Sequence, residues 1–334
     1  MSWPTILSTL LAKTDLPASD ATWAMREIID GNAPSATIAA FLVGLRAKGE
    51  SVTELSAMAD CCMEKAVPLR IPGEFIDIVG TGGDRSGLAN VSTMSAIVVA
   101  ALGITVVKHG GRGASTRSGA ADTLEELRIP LELPPDEVRR IAADAGITFC
   151  FAPAFHPGMR HAAPVRRELG VPTALNYLAP LLNPARPPRQ LIGVSSRAHA
   201  PLIAAVLARR GTDGLVVHGD DGIDKVSTHA PSTFWEIRGG RVPTGRIDPR
   251  EFGIAPPADP AALRSRDARD GARIIRRVLA GEPGPLRDSV RLNAAAALWA
   301  AGAGPDLAEN LRRCTEAIDS GAASVRLDRW IAAI

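Results

Sequence analysis

The fold is set by residues 75–93, which read Phe-Ile-Asp-Ile-Val-Gly-Thr-Gly-Gly-Asp-Arg-Ser-Gly-Leu-Ala-Asn-Val-Ser-Thr. The run 75–79 is short and mostly apolar, as is typical of a strand. It ends in a glycine-rich turn at 80–84, and a capped helix is predicted from Ser92 through Leu102. A strand, a glycine-rich turn and a helix in this order indicate the first part of a βα unit.

The same alternation continues along the chain. Further strands are predicted at 104–107, 148–151, 189–194 and 214–217. Helices are predicted between them at 120–127, 135–145, 159–169 and 200–209. Short antiparallel strands are predicted within 233–242, and helices return at 260–269, 271–280, 289–301 and 306–320. Alternating strands and helices predict an α/β fold with a mostly parallel central sheet.

Residues 1–70 have a different character. Three runs with helical periodicity begin near Ser19, Ser35 and Ser51. The first ends at Gly31-Asn32 and the second near Lys48-Gly49. The change to strand-like sequence comes at Pro72-Gly73. We therefore predict a small N-terminal helical domain over 1–70 and a large α/β domain over 71–334.

Composition excludes several classes of protein. The 334 residues include 38 Lys and Arg against 36 Asp and Glu, a net charge of +2 that argues against a general nucleic-acid binder. The four cysteines fit no zinc pattern and favour free thiols in a reducing compartment. The longest apolar stretch, 96–107, is shorter than the roughly 20 residues of a spanning helix. A cytoplasmic protein with no membrane or nucleic-acid partner is the expectation.

Two glycine-rich loops follow the first two strands. The first is 80–84, and the second, 108–116, reads Lys-His-Gly-Gly-Arg-Gly-Ala-Ser-Thr. Glycines let backbone amides approach an anion closely, and a helix start adds unpaired N–H groups. A tight structural turn is the alternative for the first loop, and a buried histidine is the alternative for His109. Both loops fall at the carboxyl ends of strands, where ligands of open α/β sheets bind, so we favour a phosphate site.

Two later segments carry charged side chains. Residues 156–161 read His-Pro-Gly-Met-Arg-His, and no carboxylate or cysteine nearby completes a metal set. We therefore favour an anionic ligand held by Arg166, with a solvated helix face as the alternative. Residues 218–225 read His-Gly-Asp-Asp-Gly-Ile-Asp-Lys, whose carboxylates suit Mg²⁺ together with substrate phosphates. From composition alone, an ordinary turn is the simpler interpretation of this segment.

Taken in order, these four segments resemble the anthranilate phosphoribosyltransferase family, which shares its structural class with the pyrimidine nucleoside phosphorylases. The resemblance runs over nearly the whole chain, and its strongest markers are 80–84, 90–93, 108–110, 152–167 and 217–220. It implies a helical domain that is joined by a segment near 164–185, and a homodimer formed through the helical domains. It also implies transfer of phosphoribose from phosphoribosyl diphosphate (PRPP) to the amine of anthranilate, with Mg²⁺, in tryptophan biosynthesis.

The resemblance, together with the residue types, also implies individual roles, although it assigns no catalytic residue. PRPP would be bound by Gly80, Thr81, Gly82, Gly83, Asp84, Asn90, Ser92, Thr93, Lys108, Arg112 and Ser115. The aromatic acid would be bound by His109, Gly111, His156, Met159 and Arg166. Ser92 and Asp224 would contact Mg²⁺.

The chain departs from the family pattern on loops that face the substrates. Gly111 stands where the family has Asn, Leu88 where it has Thr, and Lys225 where it has a metal-binding Glu. Residues 179–182 read Ala-Pro-Leu-Leu in place of Gly-Pro-Leu-Thr. A protonated lysine cannot ligate a metal, which puts the use of Mg²⁺ in question. Our hypothesis is a divergent member with an altered donor site, an altered acceptor or both, in which Lys225 supplies part of the Mg²⁺ charge by contacting phosphate.

Two other functions stay open at this point. A phosphorylase-like reaction is favoured by residues 110–113, Gly-Gly-Arg-Gly, and would tolerate Lys225 because it needs less metal. A non-catalytic paralogue that binds a ligand is the third possibility. The scarcity of aromatic residues, with one Tyr, seven Phe and five Trp, weakens a nucleic-acid role for such a paralogue.

Overall fold

The computed structural model describes residues 1–112, 119–304 and 306–334. Within them, one sheet has the strand order β3-β2-β1-β4-β5-β6-β7. Its strands are β1 (Ile76–Gly80), β2 (Val106–Gly110), β3 (Ile147–Phe151), β4 (Arg189–Gly193), β5 (Asp213–Gly219), β6 (Ser232–Ile237) and β7 (Thr244–Ile247). The first five strands pair in parallel, whereas β6 and β7 are antiparallel. The prediction of a mostly parallel sheet is confirmed.

Helices surround this sheet. They are α1 (Trp3–Leu11), α2 (Ala18–Ile29), α3 (Ser35–Lys48), α4 (Val52–Glu64), α5 (Val91–Ala101), α6 (Ala120–Glu126), α7 (Pro135–Ala145), α8 (Ala152–Phe155), α9 (Ala163–Leu169), α10 (Ala174–Leu178), α11 (Ala200–Arg210), α12 (Ala268–Leu279), α13 (Pro285–Ala300), α14 (Leu307–Asp319) and α15 (Ala322–Ala332). Short 3₁₀ turns lie at Pro157–His161, Ala179–Leu181, Pro249–Phe252 and Pro260–Leu263. None of the helices in the described ranges has the length and apolarity needed to cross a bilayer.

The N-terminal region contains four helices, so the expectation of three was wrong. The missing one is α1, whose N-cap Ser2 accepts a hydrogen bond from the backbone N–H of Thr5, and which buries Ile6 and Leu10. Its nine residues show only two buried apolar positions, which is too little periodicity to detect in sequence. The helix predicted from Ser51 is confirmed, since Ser51 and Glu54 form a capping box.

Two long predicted helices are interrupted. The helix expected over 159–169 is a 3₁₀ turn followed by α9, because Pro164 in the first turn of α9 lacks the N–H needed to continue a preceding helix. The helix expected over 260–269 is a 3₁₀ turn, and α12 begins after Asp267, whose side chain accepts from the N–H of Asp270. In both places a 3₁₀ turn stands where the helix was predicted to begin, and the order of the elements along the chain is unchanged.

The sheet is covered on both faces, which is why its strands are almost continuously apolar. On one face, Ile78, Leu191 and Val217 pack against α5 and α13. On the other face, Ile192 and Val216 pack in one cluster with α11 and the N-terminal helices. The carboxyl ends of β1, β2 and β5 meet at one edge of this layered core, beside the segment that follows β3.

The segment near 164–185 packs with the N-terminal helices. Val165, Leu175 and Leu178 share a core cluster with Ile38 and Leu42 of α3. This contact is what a joint between two domains requires. The boundaries 1–70 and 71–334 themselves stay predictions.

Candidate functional site

A cavity of about 580 Å³ opens at the carboxyl ends of β1 and β2. This volume lies within the range of about 300–1,000 Å³ of small-molecule sites. The sequence-predicted residues that line it are Gly80, Thr81, Gly82, Gly83, Asp84, Asn90, Ser92, Lys108, His109, Gly111, Arg112, His156, Met159, Arg166, Asp224 and Lys225. Thr93 is not among the lining residues, and Ser115 lies outside the described residues. The structure therefore brings the four sequence segments together around one space.

The loop after β1 is shaped by glycine. Gly82 and Gly83 have φ angles of 66° and 81°, a region that L side chains rarely adopt. The N–H of Thr81 donates to the carbonyl of Gly193 at 2.9 Å, which joins this loop to the end of β4. This bond, and the one from the N–H of Gly82 to Oδ2 of Asp224 at 2.8 Å, fix the loop at the edge of the cavity.

The N-terminus of α5 faces the same cavity. Asn90 is the N-cap residue, and Val91 and Ser92 in the first turn also line the cavity. The helix predicted from Ser92 begins one residue earlier, at Val91. Ser92 lies inside the first turn and lines the cavity, so its hydroxyl can contact a ligand. Thr93, the next residue of the helix, is fully buried. The N–H groups of Val91 and Thr93 donate to the carbonyls of Ala89 and Asn90, so the helix dipole is the feature that favours an anion here.

Lys108 brings a cation to this helix start from β2. Its ammonium donates to the carbonyl of Ile78 at 2.5 Å and to the Ser92 hydroxyl at 3.4 Å. Burial lowers the pKa of Lys108 to about 8, although the nearby carboxylate of Asp77 opposes the shift. Lys108 is therefore mostly protonated at pH 7 and is directed at the place where an anion would bind.

Two histidine rings form an uncharged wall. The rings of His109 and His156 lie edge to face with centroids 5.6 Å apart. Burial, with His156 nearby, lowers the pKa of His109 to about 3, and burial also lowers the pKa of His156. Nε2 of His156 donates to the carbonyl of Leu182 at 2.7 Å, which fixes its ring. Both rings are therefore neutral at pH 7 and line the cavity.

The two predicted arginines differ in what their guanidinium groups contact. Arg112 lines the cavity, but its guanidinium pairs with Glu125 and with Asp122 at 3.0 Å. Arg166, from α9, is half-buried and has no carboxylate within salt-bridge distance among the described residues. An unpaired, half-buried guanidinium beside a cavity is suited to a ligand carboxylate.

Of the segment 218–225, only the last two residues reach the cavity. Asp224 and Lys225 line it. Asp220 instead pairs with Arg246 at 3.0 Å, and Asp221 accepts from the Ser227 hydroxyl at 2.7 Å. The first acids of the segment therefore stabilise its turn, as the composition suggested, and Asp224 is the acid that faces the ligand space.

Asp224, Lys225 and Asp84 form a compact ionic group. The Lys225 ammonium donates to Oδ2 of Asp84 at 3.2 Å and to Oδ1 of Asp224. Burial disfavours the charged lysine, but the two carboxylates outweigh it and raise the pKa of Lys225 above its ordinary value. Burial opposes ionisation of Asp84 as well, and Lys225 lowers the pKa of that carboxyl. Burial raises the pKa of Asp224, and Asp84 nearby adds to this shift, although Lys225 opposes it. Lys225 is therefore the charge that compensates the two neighbouring acids.

Few of the side chains that line the cavity can ligate Mg²⁺. The Ser92 hydroxyl and a carboxylate oxygen of Asp224 are ligands of the kind that Mg²⁺ uses with substrate phosphates. Within the described ranges there is no group of three or more His, Cys, Asp and Glu side chains that could hold a metal. The structure thus fits an ion held largely by a bound phosphate, and does not fit one placed between Asp84 and Asp224.

Some functional candidates were missed in the sequence. Asn176 and Arg160 both line the cavity. Arg160 stands in the segment singled out for Arg166 and could have been found there. Asn176 gave no signal, because it lies between apolar residues and also closes the capping box of α10 with Thr173. Asp77 sits beneath the cavity, hidden inside an apolar strand run.

Comparison with known proteins places this arrangement in a family. Residues 72–324 match the model described as the glycosyl transferase family, a/b domain, and residues 4–66 match the helical bundle domain of the same family. The chain belongs to this glycosyl transferase family. The two matches together cover most of the chain and meet close to the change in sequence character at Pro72.

Individual relatives share one name. A protein of Saccharopolyspora erythraea called anthranilate phosphoribosyltransferase is 52% identical over 98% of this chain and 95% of its own length. One of Nocardioides with the same name is 51% identical over 99% and 98%. The crystal structure of the Thermus thermophilus anthranilate phosphoribosyltransferase is 40% identical, with a TM-score of 0.91 over 98% of each chain. The Saccharomyces cerevisiae enzyme in complex with PRPP and Mg is 28% identical, with a TM-score of 0.90 over 99% and 97%.

Proposed function

We propose that this chain is a pentosyltransferase that moves phosphoribose from PRPP to the amine of anthranilate and releases diphosphate, a step of tryptophan biosynthesis. The observation that carries the proposal is one cavity that combines an anion-binding loop and helix start with the unpaired guanidinium of Arg166. The relatives with the same name and about 50% identity over nearly their whole length support it.

The donor half of the cavity is suited to a diphosphate. We propose that the loop after β1, the first turn of α5 and Lys108 bind the phosphates. In the reaction, the amine nitrogen forms a bond to C1 of the ribose as the bond from C1 to the diphosphate oxygen breaks. The diphosphate leaves with the electron pair, and the amine loses a proton. The dipole of α5 and the Lys108 ammonium stabilise the negative charge that develops on the leaving group.

The acceptor half is suited to an aromatic acid. Arg166 can hold the carboxylate through two parallel hydrogen bonds, and the neutral rings of His109 and His156 contact the aromatic face. An aromatic amine is already nucleophilic, so orientation supplies much of the rate. No strong base is needed in this arrangement, which agrees with two histidines that stay uncharged at pH 7.

Magnesium is the cofactor of the proposed reaction, and the yeast relative was solved with PRPP and Mg. When bound to the phosphates, Mg²⁺ neutralises charge that develops on the diphosphate. The Ser92 hydroxyl would hold it from the protein side, because the two carboxylate oxygens of Asp224 already accept from Lys225 and from the N–H of Gly82.

The proposal is tested by measuring diphosphate release from PRPP in the presence of Mg²⁺, with and without anthranilate, and by identifying the phosphoribosylated acceptor by mass spectrometry. Release that requires anthranilate supports the proposal. Phosphate-dependent cleavage of a pyrimidine nucleoside, without transfer to anthranilate, would instead favour the phosphorylase-like reaction. Binding without turnover of any donor would favour the non-catalytic paralogue.

We also propose a cytoplasmic homodimer formed through the helical domain. The four cysteines are free and buried, as suits a reducing compartment. Leu11 of α1 and Val43 of α3 are exposed at 82% and 45%, and these two helices pack against each other. We propose that a second copy covers both side chains. Sedimentation equilibrium tests the dimer: the mass should be twice that of the 35.0 kDa chain, and should fall to one chain in a Leu11→Asp, Val43→Asp variant.

A further inference from the structure

The ammonium of Lys225 bridges two carboxylates that come from distant parts of the chain. It donates to Oδ2 of Asp84 at 3.2 Å and to Oδ1 of Asp224, next to it in sequence. The three side chains are 17%, 3% and 8% exposed in the order Lys225, Asp84 and Asp224. A cation is therefore built into the wall of the cavity, between two acids and nearly out of water.

The two carboxylates are fixed in place by the backbone. The other oxygen of Asp84, Oδ1, accepts from the N–H of Ser86 at 3.1 Å, and the other oxygen of Asp224, Oδ2, accepts from the N–H of Gly82 at 2.8 Å. A Cβ at Gly80 would overlap the Asp224 carboxylate, so only glycine allows this approach. Each acid thus uses one oxygen on a backbone donor and the other on the ammonium.

This arrangement occupies the oxygens that a divalent cation would need. An ion bound between the two acids would have to approach Oδ2 of Asp84 and Oδ1 of Asp224, and both already contact the positive nitrogen. At such distances, a divalent ion and an ammonium in a nearly buried site repel each other strongly, because little water is present to screen the two charges. The metal cannot share this place with Lys225.

One of the three N–H groups of the Lys225 ammonium is available to a ligand. A lysine ammonium carries three N–H groups, and two are used on Asp84 and Asp224. Among the described residues, the third has no acceptor, and the Lys225 side chain lines the cavity. A phosphate oxygen in the cavity is a suitable partner for this third N–H.

We propose that Lys225 is a built-in cation that takes the place of one divalent metal ion, bridging Asp84 and Asp224 and donating its remaining N–H to the diphosphate of PRPP. The inference rests on the proposed function, because it assumes that PRPP is the ligand. PRPP then binds with one divalent ion, the one held by its own phosphates. Replacing Lys225 frees the two carboxylates for a second ion.

Equilibrium dialysis with Mn²⁺ as the probe tests this directly. The full-length protein is dialysed against PRPP and Mn²⁺, and the excess of each in the protein compartment is measured. The unmodified protein should retain about one Mn²⁺ for each PRPP. Lys225→Glu should retain about two, and so should Lys225→Met. Without Lys225, PRPP binding at limiting Mn²⁺ should weaken about tenfold or more, as expected from the loss of a charge-assisted hydrogen bond.

Lys65→Glu is the matched control for the change in total charge. Lys65 pairs with Asp30 at 2.9 Å on the helical domain and does not line the cavity, so this variant should behave like the unmodified protein. Circular dichroism checks that each variant folds, and Lys225→Met carries the test if Lys225→Glu does not.

The outcomes distinguish the role of Lys225 from the proposed function. A ratio of two in the unmodified protein, or a ratio of one in a folded Lys225 variant, overturns the role of Lys225 and leaves the proposed function standing. Failure to retain PRPP at any Mn²⁺ concentration overturns the proposed function, and the role of Lys225 with it.

Discussion

Oδ1 of Asp77 accepts a hydrogen bond from the backbone N–H of His109 at 3.1 Å. This contact ties β1 to β2 directly beneath the cavity, and both residues are almost completely buried. Burial raises the pKa of Asp77 from 3.8 to about 6, although Lys108 opposes the shift. The carboxyl therefore binds its proton more tightly in the folded protein than in the unfolded chain.

A pH dependence of stability follows from this pKa. The favourable contribution of protonated Asp77 is complete below pH 4 and is lost as the pH rises through about 6, which lowers the free energy of unfolding by about 3 kcal/mol. Asp77→Asn cannot ionise and keeps the acceptor for His109. Urea unfolding at several pH values between about 3 and 7 should therefore show the free energy of unfolding of the variant, relative to that of the unmodified protein, increase by about 3 kcal/mol. A difference that stays constant with pH would contradict this.

The unpaired guanidinium of Arg166 predicts a defect specific to the acceptor. Arg166→Ala removes a charge-assisted pair of hydrogen bonds to the anthranilate carboxylate, worth about 2 kcal/mol, so KM for anthranilate should rise about 30-fold while KM for PRPP changes little. Steady-state kinetics with each substrate varied in turn measure the split. Arg167→Ala is the control, because that neighbouring side chain is exposed and does not line the cavity. An equal rise in both KM values would argue against this role.

Two glycines in the same cavity should respond differently to alanine. A Cβ at Gly80 would overlap the Asp224 carboxylate, so Gly80→Ala has to displace an acid that the N–H of Gly82 holds in place. A Cβ at Gly111 meets no atom within 4 Å. Thermal unfolding should show Gly80→Ala destabilised by about 2 kcal/mol and Gly111→Ala within about 0.5 kcal/mol of the unmodified protein. Similar losses in both variants would show that the loop after β1 is less tightly packed than described.

A buried polar network at the joint of the two domains should contribute to stability. Nε2 of His199 lies 2.9 Å from Oε2 of Glu50, its Nδ1 lies 2.7 Å from the Ser196 hydroxyl, and its ring stacks on Tyr177 at 3.7 Å. His199→Phe keeps the stacking but removes a partner of a buried carboxylate, which should cost about 2–3 kcal/mol in the free energy of unfolding.

The control for this network is a double variant. If the cost comes from the carboxylate of Glu50, Glu50→Gln combined with His199→Phe should be less destabilised than the sum of the two single variants. Chemical denaturation of the four proteins measures the coupling. Additive losses would mean that the two side chains do not interact.

The parallel sheet and the loops that face the ligand could be predicted from sequence because they depend on local patterns. Residues 80–84 directly follow a strand, which identifies them as a loop at its carboxyl end. Because ligands of open α/β sheets bind at the carboxyl ends of the strands, Lys108, which follows the next strand, was predicted to lie at the same site. The position of Arg166 followed from its segment as a whole. These predictions needed only neighbours in the sequence and one general property of α/β sheets.

The rest depended on contacts that no local pattern encodes. Nothing near Asp84 indicates that Lys225, about 140 residues later, will pair with it. The segment 90–93 was treated as a unit, but adjacent residues of a helix point in directions about 100° apart. Ser92 therefore faces the cavity while Thr93 is buried in the core. The orientation of Arg112 toward Glu125 likewise depends on the packing of α6.

Asp224 packs closely against two glycines. A Cβ at Gly193 would overlap the backbone carbonyl of Asp224, and a Cβ at Gly80 would overlap its carboxylate. The backbone is therefore anchored just before residue 225, whichever side chain comes next. A codon for lysine differs from one for glutamate in its first base alone. A single nucleotide change can thus reverse the charge at this position while the backbone of the loop keeps its shape. The number of divalent ions that the site binds can therefore change in evolution without a change of fold.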